Sequence, residues 1–142
     1  MTEPNPPFEP LGKHLLRVEG DTVFLVAHGS LTLDDMRALL ARYEGIKHEY
    51  GCLFVLYDAT QGTGIDSDAR QYAARRPARQ QEADLQVAFG ISFALRVLVN
   101  MMVRAQGALR SRTVNFYAFD KEIEARKFFT AEREKIRQEI KK

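Results

Sequence analysis

The sequence predicts a single α/β domain on one mixed, mostly parallel sheet. The order is ββαβαβαβα, with strands in sequence order and the first strand antiparallel at the edge. Three observations carry this. Residues 52–58, Cys-Leu-Phe-Val-Leu-Tyr-Asp, form an apolar run of the kind found in strands buried on both faces, as parallel strands are. Beyond the second strand, strand-like and helix-like segments alternate, and right-handed crossovers make such strands parallel neighbours. At 142 residues the chain can bury one core without disulfide or metal support.

Residues 1–11 hold four of the five prolines and are expected to form a disordered or extended tail, leaving 12–142 as the domain. Residues 13–19 alternate, with His14, Leu16 and Val18 on one face, which suits a half-exposed edge strand. Gly20 and Asp21 make a tight turn into a second strand at 22–28, which Gly29 and Ser30 are expected to break. Thr32 and Asp35 form an acidic capping box opening a helix at 33–49. Its buried stripe is Met36, Leu39, Leu40, Tyr43 and Ile46, and Gly51 ends it.

After the 52–58 strand, Ala-Thr-Gln-Gly-Thr-Gly-Ile at 59–65 reads as a loop leading to a helix that opens on Asp66, Ser67 and Asp68. Pro77 should end or kink that helix near Arg76. A strand at 85–90 precedes a helix at 92–109 that offers Phe93, Leu95, Val97, Leu98, Met101, Met102 and Ala105 for burial. The last strand is 113–119, and Asp120 is expected to cap a final helix from 121.

The formal charge of +2 and a charged fraction of 28% give no uniform nucleic-acid footprint. Tyr72 is the one aromatic among the arginines that follow, too few for base stacking. Cys52 is the single cysteine, and with His14, His28 and His48 it makes no metal-ligand spacing. Neither cofactor nor metal is expected, and a reducing, cytoplasmic setting is. The apolar region 85–103 is interrupted by Gly90, Arg96 and Asn100 and falls short of a membrane span. The first ten residues have neither the basic start nor the apolar stretch of a signal peptide.

In open α/β sheets, ligands and partners gather beyond the carboxyl ends of the strands, which points to the segment after Asp58. Asp58, Gly62 and Gly64 are expected to organise the loop there, the carboxylate by accepting backbone N–H groups and the glycines by taking positive φ. Ser67 is the candidate phosphoacceptor, placed at a helix N-terminus, where it competes with simple capping. Arg70, Arg75, Arg76 and Arg79 give four positive charges without an intervening acid and are candidate contacts for an anionic partner. Arg104, Arg110 and Arg112 extend that field.

Gly29–Asp35, Phe54–Asp58 and Val114–Asp120 with Glu124–Phe129 behind it together resemble the STAS domain, in its SpoIIAA-like group. Gly29-Ser-Leu-Thr-Leu-Asp-Asp35 is similar to the group's turn after the second strand, and Phe54-Val-Leu-Tyr-Asp58 to its third strand. Val114-Asn-Phe-Tyr-Ala-Phe-Asp120, followed by Glu124-Ala-Arg126 and Phe128-Phe129, resembles its closing strand and helix. The similarity runs from about Gly12 to Glu132. It implies a compact mixed sheet acting through protein or small-ligand contacts rather than catalysis. Phosphorylatable members carry Asp-Ser-Ser-Gly or Asp-Ser-Thr-Gly at the helix start, whereas this chain has Asp66-Ser67-Asp68-Ala69 and a longer preceding loop.

The expected function is therefore a non-enzymatic regulatory or scaffolding module that binds a protein partner through the surface from Thr60 to Arg79. The alternative is a small apolar or lipid-like ligand on the segment 89–102, a reading helped by the group's likeness to lipid-carrying CRAL-TRIO domains. Both faces of residues 23–27 and 53–57 are apolar. The final helix, with Ile123, Phe128 and Phe129, and a second copy in a homodimer are expected to share in covering them.

Overall fold

The structure, a computed structural model, describes residues 6–75, 83–92, 96–97, 100–101 and 116–141. Its strands are β1 (Glu9–Leu11), β2 (His14–Glu19), β3 (Thr22–Leu31), β4 (Phe54–Ile65), β5 (Leu85–Phe89) and β6 (Phe116–Phe119). Helix α1 is Leu33–Tyr50, α2 is Ser67–Arg75 and α3 is Glu122–Lys141. Residues 96, 97, 100 and 101 are also helical. The sheet runs β1-β2-β3-β4-β5-β6, antiparallel across the first three strands and parallel from β3 onward. The expected mixed sheet in sequence order is present, with one strand more. Glu9–Leu11 pairs with β2, so the strand expected at the edge lies one place in.

Local chemistry explains the ends of α1. Thr32 Oγ1 accepts from Asp35 N–H at 3.1 Å and Asp35 Oδ2 accepts from Thr32 N–H at 3.0 Å, the reciprocal capping box. At the other end Gly51 takes φ 77° and its N–H reaches the Lys47 carbonyl, an αL cap that a side chain would strain.

The strand alternation sorts two cores. Leu16, Val23, Leu25, Leu53 and Val55 face α1 and meet Leu39, Tyr43 and Ile46. Phe54, Leu56, Leu85, Val87 and Phe89 face the opposite way and meet Ala125 and Phe129 of α3. Phe128 stacks against Tyr117 and Phe119 at centroid distances of 4.7 and 5.2 Å. Among the described residues, the chain's own last helix packs over β4, β5 and β6. Ile123, expected in that cover, is 63% exposed because it lies on the outward side of α3.

The far end of α3 is locked to the β2–β3 turn. The Arg137 guanidinium grips both oxygens of Asp21, with Nε to Oδ2 at 2.9 Å, and Arg133 donates to Thr22 Oγ1 at 3.2 Å. Burial acts to raise the Asp21 carboxyl, but hydrogen bonds from Arg137, Thr22 and Cys52 outweigh it and hold the group below its ordinary value. Arg137 is held correspondingly above its own, chiefly by its bond to Asp21.

Three further expectations need correcting. Asp120 does not cap α3; its carboxylate takes Arg96 at 2.8 Å, and the Lys121 carbonyl receives the first helical N–H, from Ala125. Val97 and Met101 are 44% and 63% exposed, since they share one outward side of their helix rather than its core side. Residues 59–65 are strand rather than loop. The break at Pro77, the burial candidates Phe93, Leu95, Leu98, Met102 and Ala105, the basic Arg104, Arg110 and Arg112, and the start of the 113–119 strand lie outside the described residues.

Candidate functional site

The surface after Asp58 is built on a doubled β ribbon. Beyond Val26 and Asp58, β3 and β4 stay paired, through His28 with Gln61, Gly29 with Gly62, Ser30 with Gly64 and Leu31 with Ile65. The register slips twice, between Val26 and His28 and between Gly29 and Ser30, and each slip inserts one extra residue in β4. Two bulges let a strand that looks like a loop keep its ladder. Gly29 and Ser30, expected to break the second strand, therefore lie within it.

Of the predicted organisers, Asp58 and Gly64 take the parts expected and Gly62 a different one. Asp58 Oδ1 accepts the Thr60 N–H at 3.0 Å. Gly62 has no positive φ; its need is space, since a Cβ there would sit 3.3 Å from Ala27 Cβ and 3.4 Å from the Ala59 carbonyl. Gly64, at φ 159°, has open space around it. A tighter contact belongs to a glycine sequence reasoning passed over. A Cβ on Gly90, at φ 73°, would meet Thr60 Oγ1 at 2.5 Å, so the end of β5 passes close against the β4 extension.

The ribbon delivers α2 from a fixed point. Asp66 N–H donates to the Leu31 carbonyl at 2.9 Å, and Ser30 Oγ donates to Asp66 Oδ1 at 2.7 Å. The Asp66 carbonyl receives the Arg70 N–H, which opens the helix. Asp68 Oδ1 takes the Ala69 N–H at 2.9 Å. Ser67 stands exposed between these two carboxylates. Thr60, Gln61, Thr63, Ser67 and Gln71 are exposed polar residues along this stretch of ordered backbone.

Two of the four arginines, Arg70 and Arg75, are described, and they do not share a face. Arg70 and Arg75 are five residues apart on α2, which turns them about 140° from each other around its axis. Arg75 lies on the side of Tyr72, where Arg37 of α1 stacks at 5.5 Å from the ring centroid, a contribution from another helix that sequence reasoning missed. Arg70 and Arg75 make no ion pair among the described residues. Arg76 and Arg79 lie outside the described residues.

Beneath this surface is a buried polar pair. His14, 1% exposed, accepts the His28 N–H on Nδ1 at 2.9 Å, so the neutral ring carries its proton on Nε2 and gives it to Asp35 Oδ2 at 3.1 Å. Alternation placed His14 on the inner face, but the carboxylate awaiting it belongs to the cap of a helix 21 residues on.

Cys52 has no nucleophilic setting. Its S–H donates to Asp21 Oδ2 at 3.3 Å; burial, and then that carboxylate, push the thiol up to about 11. Among the described residues no group of three or more His, Cys, Asp or Glu side chains is placed to hold a metal ion. No helix of the described residues is long and apolar enough to cross a membrane.

Known structures share this architecture. The unphosphorylated form of the anti-sigma factor antagonist SpoIIAA superposes with a TM-score of 0.53 at 15% identity, covering 83% of this chain and 92% of its own. A DUF3478-family protein with a SpoIIAA-like fold from Shewanella loihica PV-4 gives 0.53 at 14% identity, covering 91% and 98%. The fold is SpoIIAA-like. No protein-family model and no curated protein matches the sequence. At these identities the SpoIIAA-like frame is what the chain has in common with both structures.

Proposed function

We propose that this SpoIIAA-like chain is a non-enzymatic regulatory or scaffolding module that binds a protein partner through the β4 extension and α2. The observation that carries the reading is the ribbon itself. Gln61 stands exposed on paired strand with Thr60 and Thr63 exposed at the two bulges beside it, and Asp66 is tied at both its N–H and its carboxylate, so the backbone of a polar docking strip is ordered before a partner arrives. SpoIIAA, an anti-sigma factor antagonist by description, lends the comparison of function. Arg70 and Arg75 add positive charge on either flank and favour an acidic partner surface. Ser67, exposed at the head of α2, is the residue at which a phosphate would alter that strip by adding charge beside Asp66 and Asp68. A cytoplasmic setting agrees with a lone free cysteine.

The test is capture of the native complex on tagged chain, with Arg70→Glu and Arg75→Glu combined. The captured partner should be depleted while the melting temperature stays unchanged. A partner that survives both charge reversal and high salt contradicts the assignment.

A second reading, an apolar or lipid-like ligand, is favoured by Val97 and Met101, exposed one helical turn apart. It predicts a small apolar molecule released on denaturing the purified chain.

A further inference from the structure

We infer that His14 is a proton-sensitive strut whose protonation state sets the order of the β3–β4 ribbon and of the α2 start it carries. The inference deepens the reading above by naming a way of regulating the same surface, and it rests on that reading for its functional meaning alone.

The chain of contacts runs from core to surface without a gap in the backbone. His28 N–H donates to His14 Nδ1, and His14 Nε2–H donates to Asp35 Oδ2. The same Asp35 oxygen takes the Thr32 N–H, while Thr32 Oγ1 takes the Asp35 N–H. Next to Thr32, the Leu31 carbonyl holds Asp66 N–H and the Ser30 hydroxyl holds Asp66 Oδ1. His28 is also where the ribbon resumes its pairing, with Gln61, after the first register slip. One imidazole therefore braces the start of the ribbon through one nitrogen and its far end through the other.

A second proton has one place to go. It must add to Nδ1, the atom that accepts His28 N–H, and the two N–H groups would then point at each other. The ring, itself 1% exposed, must turn or His28 must lose its partner. The groups that meet the imidazole are few. The Asp35 carboxylate from α1 accepts from it, the His28 peptide from β3 donates to it, and across the β1–β2 pairing the register neighbour is the apolar Leu11. Asp35 remains the hydrogen-bond partner of Nε2 whichever state Nδ1 is in, so the effect falls on His28 and the ribbon rather than on the whole fold. Gly12 adds to the restraint, because a side chain there would occupy the space of Asp35 Oδ1.

The experiment is an NMR titration of the full chain from about pH 8 to about pH 5, the span in which imidazoles exchange protons. Ring nitrogen shifts follow the His14 tautomer, and amide exchange, corrected for its intrinsic pH dependence, follows His28, Gln61 and Asp66. The three amides should lose protection together, by about tenfold, as His14 Nδ1 gains its proton, with Val23 and Val55 unaffected. In His14→Gln, which does not titrate, their exchange should lose its pH dependence. If that variant does not fold, the wild-type titration decides alone. The inference is overturned if Nδ1 is protonated with His28 protection intact, if His14 stays neutral to about pH 5, or if the variant loses protection with pH as the wild type does. None of these readouts involves a partner, so failure of the docking surface and failure of the strut are told apart.

Discussion

Gly12 and Gly45 are both exposed glycines, and the structure gives them opposite fates. At Gly12, φ is 61° and a Cβ would collide with Asp35 Oδ1, displacing the carboxylate from both His14 and Thr32. Gly12→Ala should cost about 2–4 kcal/mol in chemical denaturation, from left-handed backbone and overpacking together. Gly45 lies mid-helix in α1 with nothing within 4 Å of the added carbon, so Gly45→Ala should stabilise by about 0.5–1 kcal/mol. Equal effects at the two sites would refute the close approach of Gly12. Cys52 gives a pH prediction. Its folded value, about 11, exceeds the ordinary 9.0, so between these values the unfolded chain gives up a proton that the folded chain keeps. Stability contributed by the buried thiol is whole below about pH 9 and is lost as pH rises toward 11. Cys52→Ala should flatten that alkaline decline; an unchanged slope would mean the thiol is not shielded. His14 was visible as an inward residue on an alternating strand, yet its partner could not be read, because the contact with Asp35 exists only once β2 lies under the start of α1.

Among the elements, α1 was legible end to end because its signals are local: the capping box, the apolar stripe and Gly51 all act within a few residues. The β4 extension was not. Its glycines carry the composition of a loop, and the pairing that makes it strand comes from His28 to Leu31, more than thirty residues earlier in the chain. Helix α3 was foreseen as a returning helix with Phe128 and Phe129, but its lock on Asp21 joins positions 116 residues apart. That lock is measurable. Arg137→Met and Asp21→Asn should each destabilise by about 1–3 kcal/mol, and together by less than their sum. Because Asp21 is held below its ordinary value, its contribution is present above that value and lost as pH falls through the lower, folded one. Additive losses in urea denaturation would show that the two groups do not act as a pair.

For the whole molecule, strand order and direction followed from alternation of strand and helix patterns together with crossover handedness, and they hold from β2 to β6. The extra strand Glu9–Leu11 escaped because Pro10 argues against a strand, while an edge position tolerates it. The two-sided apolar character of β3 and β4 pointed to cover on both faces, which α1 and α3 supply from opposite sides. Between those layers the carboxyl ends of the strands carry the polar strip from Thr60 to Arg75, and the central claim is that a protein partner docks there. Site-specific photo-crosslinking in the producing cell tests it most directly, with a benzophenone side chain at exposed Gln71 on α2 or at exposed Glu134 on α3. The account predicts a discrete protein adduct from position 71, weakened by Arg75→Glu, and none from position 134. The same adduct from both positions, or none from position 71, would contradict it.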